Sequence, residues 1–178
     1  MSRATYLIDT SLCIGCETCG IACKDRADLP DDIDRLWVDR DEAGSYPSPT
    51  LRYRVVHCFH CAAPTCAAVC PVGALVKGAD GLVTLNRAVC IGCGACIDAC
   101  PFGAVAMLPE GVADKCDGCA DELARGWEPT CVRACPMRAL DYTPFDGTPP
   151  AGRIADDSFD HHGIGPAVVY WRRDGQSA

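Results

Sequence analysis

No apolar run among the 178 residues approaches the ~18 needed to cross a bilayer; the longest candidates, GALV and GPAVVYW, are strand-sized. No membrane span is therefore expected. Positive charge is also short: 16 Lys and Arg against 24 Asp and Glu leave a formal charge of −8, which argues against the basic footprint of a nucleic-acid binder. The opening MSRATYLIDT has one arginine, no apolar h-region and no paired arginines, so no export signal of the chain's own is expected. Nor is there a Ser–His–Asp arrangement, a phosphate loop or a paired-carboxylate motif, so no catalytic residue and no substrate site are expected.

What the chain has is cysteine. Sixteen in 178 residues lies in the range where composition is itself diagnostic. Without a secretory signal, such a chain reads as metal-binding or redox-active before it reads as disulfide-stapled. The cysteines form four groups of four: Cys13, Cys16, Cys19 and Cys23; Cys58, Cys61, Cys66 and Cys70; Cys90, Cys93, Cys96 and Cys100; and Cys116, Cys119, Cys131 and Cys135. The groups repeat one another. Residues 13–23 and 90–100 agree at seven of eleven positions, and CPVGAL (70–75), CPFGAV (100–105) and CPMRAL (135–140) are variants of one ending.

Every group closes in Cys-x-x-x-Cys, which places two thiols on one side of a helix one turn apart. The first three cysteines of a C-x-x-C-x-x-C loop encircle one compact inorganic unit, and the fourth is positioned to serve a neighbour. Two-cluster bacterial ferredoxins exchange ligands in this way through C-x2-C-x2-C-x3-C-P runs. The proline suits a chain leaving its helix. Tetrahedral zinc is the main alternative, but only the fourth group, with eleven residues between Cys119 and Cys131, resembles a zinc site by itself. Cysteines at i, i+3, i+6 and i+10 cannot pair internally as relaxed disulfides, and a dithiol redox motif accounts for one C-x-x-C only. Four [4Fe–4S] clusters are expected.

Groups two and three are nineteen residues apart, and GALVK–GAD–GLVTLN between them reads as a hairpin. LRYRVVH (51–57) and GAVAML (103–108) read as flanking strands. Residues 51–110 are thus expected to form a two-cluster ferredoxin-like module with Cys58, Cys61, Cys66 and Cys100 on one cluster and Cys70, Cys90, Cys93 and Cys96 on the other. Group one is left to exchange with group four: Cys13, Cys16, Cys19 with Cys135, and Cys23 with Cys116, Cys119, Cys131. TYLID (5–9) and RALDYT (138–143) are expected to close this outer module, formed by 1–50 and 111–145. The fold class is accordingly α+β, small and loop-rich, with two ferredoxin-like βαββαβ-type modules, one inserted within the other. The acidic stretch 25–49 is expected to wrap the surface as a connector, and 146–178 to be a weakly structured tail lying along a partner.

Few other residues compete as chemistry. His57 and His60 sit in the second group's loop; His60 reads first as a packed or solvent-facing residue and second as a hydrogen-bond donor to a cluster. His161–His162 reads as a surface pair. Lys24, Lys77, Lys115 and Arg133 stand beside ligands, where they could offset cluster charge, and are equally well explained as solvated. Trp37, Trp127 and Trp171 read as core or interface anchors.

CIGCETCGIACKD (13–25), CFHC (58–61) and KCDGC followed by CVRACPMRALDY (115–142) together resemble the iron–sulfur electron-transfer subunit of the dimethyl sulfoxide reductase family of molybdopterin oxidoreductases. The resemblance covers 5–145. It implies a non-catalytic relay whose Cys13–Cys135 cluster lies nearest a molybdopterin catalytic subunit. The Cys23–Cys131 cluster would come next, and the central pair would lead to a quinol-linked membrane subunit or a soluble carrier. It also implies a location in the cytoplasm, or export in complex with a signal-bearing catalytic subunit. The alternatives are a relay subunit of a hydrogenase or formate dehydrogenase complex, a free polyferredoxin and a zinc-stapled scaffold.

Overall fold

In β1 (Ala4–Asp9), Tyr6 and Ile8 are buried while their neighbours are only half so, the alternation of a strand with one face on a core. The computed structural model describes residues 4–175. After β1 come α1 (Thr18–Ala27), β2 (Leu36–Ala43), β3 (Thr50–His57), α2 (Thr65–Ala68), β4 (Leu75–Lys77), β5 (Val83–Leu85) and α3 (Ala95–Asp98). Then follow β6 (Val105–Met107), β7 (Ala113–Lys115), α4 (Ala120–Ala124), α5 (Thr130–Ala134), β8 (Leu140–Pro144), β9 (Arg153–Ala155) and β10 (Val168–Arg173). The chain is small, mixed α/β and loop-rich.

One four-stranded sheet, in the order β8-β1-β10-β9, anchors the molecule. Strands β1 and β8 run antiparallel with Ile8 opposite Leu140, and Asp9 N–H donates to Ala139 O at 2.8 Å. This pairing sets the loop that starts at Cys13 beside the segment that follows Cys135. Strand β10 lies parallel to β1, Tyr6 opposite Val168. A parallel pair needs a long crossover, and here the crossover contains every cysteine in the chain. The remaining strands form three two-stranded ladders, β2–β3, β4–β5 and β6–β7.

Three expectations change. The connector 25–49 is not merely a surface wrap: 36–43 pairs along its whole length with β3, Leu36 opposite His57 through Ala43 opposite Thr50. Its acidic residues had concealed a strand whose charges meet across the ladder, as Asp41 and Arg52 do at 2.6 Å. The strands expected to flank a self-contained module at 51–110 each pair outside that span, β3 with β2 and β6 with β7. Finally, the tail is structured. It supplies β9 and β10, buries Val168, Tyr170 and Trp171, and returns across the Cys58–Cys61 loop through Ala62 N–H to Gly165 O (2.8 Å) and Ala63 N–H to Ile164 O (3.0 Å). Tyr170 donates its hydroxyl to Val55 O at 2.6 Å.

The buried core is continuous with the cysteines. Cys19, Cys23, Cys131 and Cys135 pack with Tyr6, Ile8, Val55 and Leu140. Cys66 and Cys96 pack with Leu75, Val83, Val105 and Ala113. Between these two regions, Cys58, Ala104 and Cys116 form a third cluster.

Candidate metal centres

Each group is a loop running into a helical turn. Cys19 and Cys23 both lie in α1, while Cys66, Cys96 and Cys131 lie in α2, α3 and α5, with Cys70, Cys100 and Cys135 just beyond. The repeated ending has a physical purpose. In CPVGA and CPMRA the fourth residue turns left-handed (Gly73 φ 63, Arg138 φ 50). The chain then directs the alanine N–H back onto the cysteine sulfur, Ala74 to Cys70 Sγ at 3.2 Å and Ala139 to Cys135 Sγ at 3.3 Å. Such amides favour a thiolate. Indeed the N–H groups of Leu75, Ala74, Val72 and Gly73 hold Cys70 below the usual thiol value.

Cysteines from different groups meet. One small pocket is lined by Cys90, Cys93, Cys96 and, from the second group, Cys70. Another is lined by Cys13, Cys16, Cys19 and, from the fourth group, Cys135. Elsewhere the thiols' surroundings show their neighbours. Burial, then Cys58, Cys100 and Cys66, push Cys61 up to about 12. Burial, then Cys119 and Cys23, raise Cys131. Burial, then Cys58 and Cys23, raise Cys116 well above its ordinary value.

Exposure divides the sixteen thiols. Cys16 and Cys93 are exposed and Cys13, Cys70, Cys90 and Cys100 half-buried; the other ten are buried, and none of the sixteen is in a disulfide. Among the described residues no three His, Cys, Asp or Glu side chains close on a single metal ion. Four thiols line each pocket, with Glu17 also lining the second; thiols are soft ligands of the kind that iron–sulfur clusters take. The donor set therefore fits such clusters.

The other singled-out residues separate clearly. His57 and His60 are both 1 % exposed, which corrects the solvent-facing option for either. His161 and His162 are exposed. Trp171 is buried, Trp37 half-buried and Trp127 exposed, flanked by Arg125 and Arg133 at 5.9 and 5.3 Å from its ring. Lys24 reaches Asp34 at 3.0 Å, and Arg133 is tied to Glu122. Lys115 is not solvated: it is 3 % exposed. Sequence reasoning missed the buried ion group next to it, in which Asp114 takes a two-pronged contact from Arg35 (2.7 and 2.8 Å) and a second cation, Arg87. Its one sequence signal was a charged pair, Asp114–Lys115, at the end of an otherwise apolar strand.

A family model described as a 4Fe-4S dicluster domain matches residues 50–144, and a second with the same description matches residues 12–74. Among similar proteins, the B subunit of anaerobic dimethyl sulfoxide reductase from Haemophilus influenzae is 39 % identical over 156 residues, 82 % of this chain and 76 % of that one. The thiosulfate reductase electron transfer subunit of Salmonella typhi is 37 % identical over 180 residues, 99 % and 88 % of the two chains. The polysulfide reductase B subunit of Wolinella succinogenes is 42 % identical over 138 residues, 75 % and 72 %.

Proposed function

The chain belongs to the iron–sulfur electron-transfer subunits of the dimethyl sulfoxide reductase family, and from that premise we propose how its sixteen cysteines divide among the four [4Fe–4S] clusters it carries. Site 1 is Cys13, Cys16, Cys19 and Cys135; site 2 is Cys23, Cys116, Cys119 and Cys131. Site 3 is Cys58, Cys61, Cys66 and Cys100; site 4 is Cys70, Cys90, Cys93 and Cys96. The observation that carries this division is the pair of cavities in which the closing cysteine of one group joins the first three of another. In this division a ferredoxin-like unit at 51–110 sits within a second formed by 1–50 and 111–145.

A [4Fe–4S] cluster supplies a one-electron couple. The chain's own residues hold four of them in a row. Cys19 lies near Cys131, Cys58 near Cys116, and α2 packs on α3 between sites 3 and 4. Electron tunnelling weakens steeply with distance, so a row of short steps crosses a protein that one step could not. The exposed thiols Cys16 and Cys93 lie in sites 1 and 4, where partners can approach. The chain is a relay without catalytic residues of its own. Site 1 faces a molybdopterin-containing catalytic subunit. Site 4 faces a quinol-linked membrane subunit or a soluble carrier. No described helix is long and apolar enough to cross a membrane, and the compartment is that of the catalytic subunit.

The test is a set of single Cys→Ser variants read by electron paramagnetic resonance with iron and sulfide analysis. The unmutated chain should hold about sixteen irons. Cys135→Ser should remove the signal that Cys16→Ser removes, and Cys70→Ser the one that Cys93→Ser removes. If Cys135→Ser instead leaves the signal lost in Cys16→Ser intact, the exchange is wrong. Anaerobic purification should recover a stoichiometric pterin protein, and recovery of the fully loaded chain alone would overturn the partner.

A further inference from the structure

The third residue of the first C-x-x-C loop in each group adopts a left-handed conformation. Gly15, Gly92 and Gly118 occupy it at φ 67, 68 and 70, where the lack of a Cβ removes the steric cost. In the loop Cys58–Cys61 the position is His60, at φ 45. A side chain there costs about 1–2 kcal/mol and persists only where its surroundings hold it. They do so here: Val83 N–H donates to His60 Nδ1 at 2.9 Å, and Lys77 Nζ donates to His60 O at 2.7 Å. With Nδ1 accepting, the neutral ring carries its proton on Nε2. That N–H is buried and has no partner among the described residues. It lies against the fourth group's loop: a Cβ on Gly118, between Cys116 and Cys119, would lie 3.2 Å from Nε2.

Lys115 is the reciprocal case. It precedes Cys116, yet its Nζ donates to Val83 O as well as to Cys116 O at 2.6 Å. Among the described residues no carboxylate is within ion-pair range of it; the oxygens of adjacent Asp114 are engaged by Arg35 and Arg87. It is held between Cys116, whose carbonyl it reaches, and Val83, which packs in one cluster with Cys66. Val83 joins the two devices, its N–H to His60 and its carbonyl to Lys115.

Resting on the ligand sets given above, we propose that His60 and Lys115 are positioning residues that set the potentials of the two inner clusters. His60 directs its Nε2–H to a sulfur of site 2, although it is one residue from Cys61 of site 3. Lys115 is a cation shared by sites 2 and 3. Reduction adds a negative charge to a site that already carries about −2. Burial opposes that charge, and sites 2 and 3 have less help from solvent than sites 1 and 4. A hydrogen bond to sulfur and a cation without a carboxylate partner favour the reduced form, so the two residues keep the inner potentials close enough to the outer ones for electrons to pass.

The experiment is a redox titration of the purified complex followed by electron paramagnetic resonance, with signals assigned by Cys16→Ser, Cys119→Ser, Cys61→Ser and Cys93→Ser. Lys115→Met should lower the reduced-to-oxidised ratio of sites 2 and 3 about tenfold at fixed potential, about 59 mV for one electron, and leave sites 1 and 4 within about twofold. His60→Phe should move site 2 several-fold and site 3 less than about twofold. A His60→Phe shift confined to site 3 overturns the assignment of His60, and equal movement at all four sites overturns both. Should either variant fail to assemble, Lys115→Arg must hold the inner potentials and Lys115→Gln must lower them, while His60→Gln must lower site 2; the opposite results overturn the proposal. The Cys→Ser assignments test the ligand sets separately. Crossed sets combined with unshifted potentials would leave those sets standing and defeat only this inference.

Discussion

Cys16 and Cys93 reach the surface, and beside them Ile14 and Ile91 are 54 % and 63 % exposed. Cys58, Cys61, Cys66, Cys116, Cys119 and Cys131 are all buried, behind a wall that holds His60, Lys115 and the Arg35–Asp114–Arg87 group. The ligand type is the same in both regions, so the difference lies in what surrounds the sulfur. The outer thiols have apolar, accessible rims suited to contact with other proteins. The inner thiols are part of the packed core, so the fold depends on their filling.

The sharpest way to break this comparison is to remove one thiol from each region. Cys131→Ser places a hydroxyl among Tyr6, Val132 and Leu140, where an unsatisfied polar group costs about 1–3 kcal/mol, and it also removes a contact between α1 and α5. We expect little soluble, loaded protein. Cys93→Ser, at an exposed position, should yield a folded chain lacking one cluster only. Soluble yield and iron per chain read the difference, and equal losses would abolish the distinction.

Next in size is the charged wall. Asp114→Ala leaves Arg35 buried without its two-pronged partner, a change of the kind that costs about 3–5 kcal/mol. Asp41→Ala, which breaks the exposed pair with Arg52, should cost less than about 1 kcal/mol. Denaturant melts of the loaded protein compare them directly. If the two variants melted together, the inner wall would not carry the stability assigned to it.

How much of this contrast could be read from the sequence follows from the range of the interactions. The thiol groups rest on short-range spacing and a repeated ending, so each was visible within a single short stretch of sequence. The strands at 5–9, 51–57 and 138–143 showed their alternation and their turn neighbours. Strand β2 did not, because Asp39, Asp41 and Glu42 conceal a ladder in which Asp41 finds its cation, Arg52, only across the hairpin. The parallel pairing of β1 with β10 was invisible for another reason: Tyr6 and Val168 are brought together by everything between them. Lys115 read as solvated because a lysine next to a ligand ordinarily is, and its burial depends on Val83, thirty-two positions away.

A smaller effect probes the outer rim. Ile14→Asp and Ile91→Asp alter exposed side chains, so melting should change by no more than about 0.5 kcal/mol and iron content should be unchanged. Each should nevertheless slow electron exchange on its own side, Ile14→Asp with the catalytic subunit and Ile91→Asp with the distal partner. Stopped-flow reduction from each direction separates them. A variant that slowed both directions equally would mean that the two rims are not separate docking places.

The finest test uses two glycines with nearly the same backbone. Gly118 and Gly73 sit at φ 70 and 63, so an alanine at either pays a similar left-handed penalty of about 1–2 kcal/mol. Their surroundings differ. A Cβ at Gly118 would fall 2.6 Å from Leu82 Cδ2 and 3.2 Å from His60 Nε2, whereas at Gly73 nothing lies within 4 Å. Gly73→Ala should therefore cost the backbone penalty alone. Gly118→Ala should add about 1–3 kcal/mol of overpacking and displace His60 from the second site. Because the backbone contribution cancels, the difference between the two melts measures how tightly the inner wall is filled; no difference would mean that the crowding around Gly118 relaxes freely.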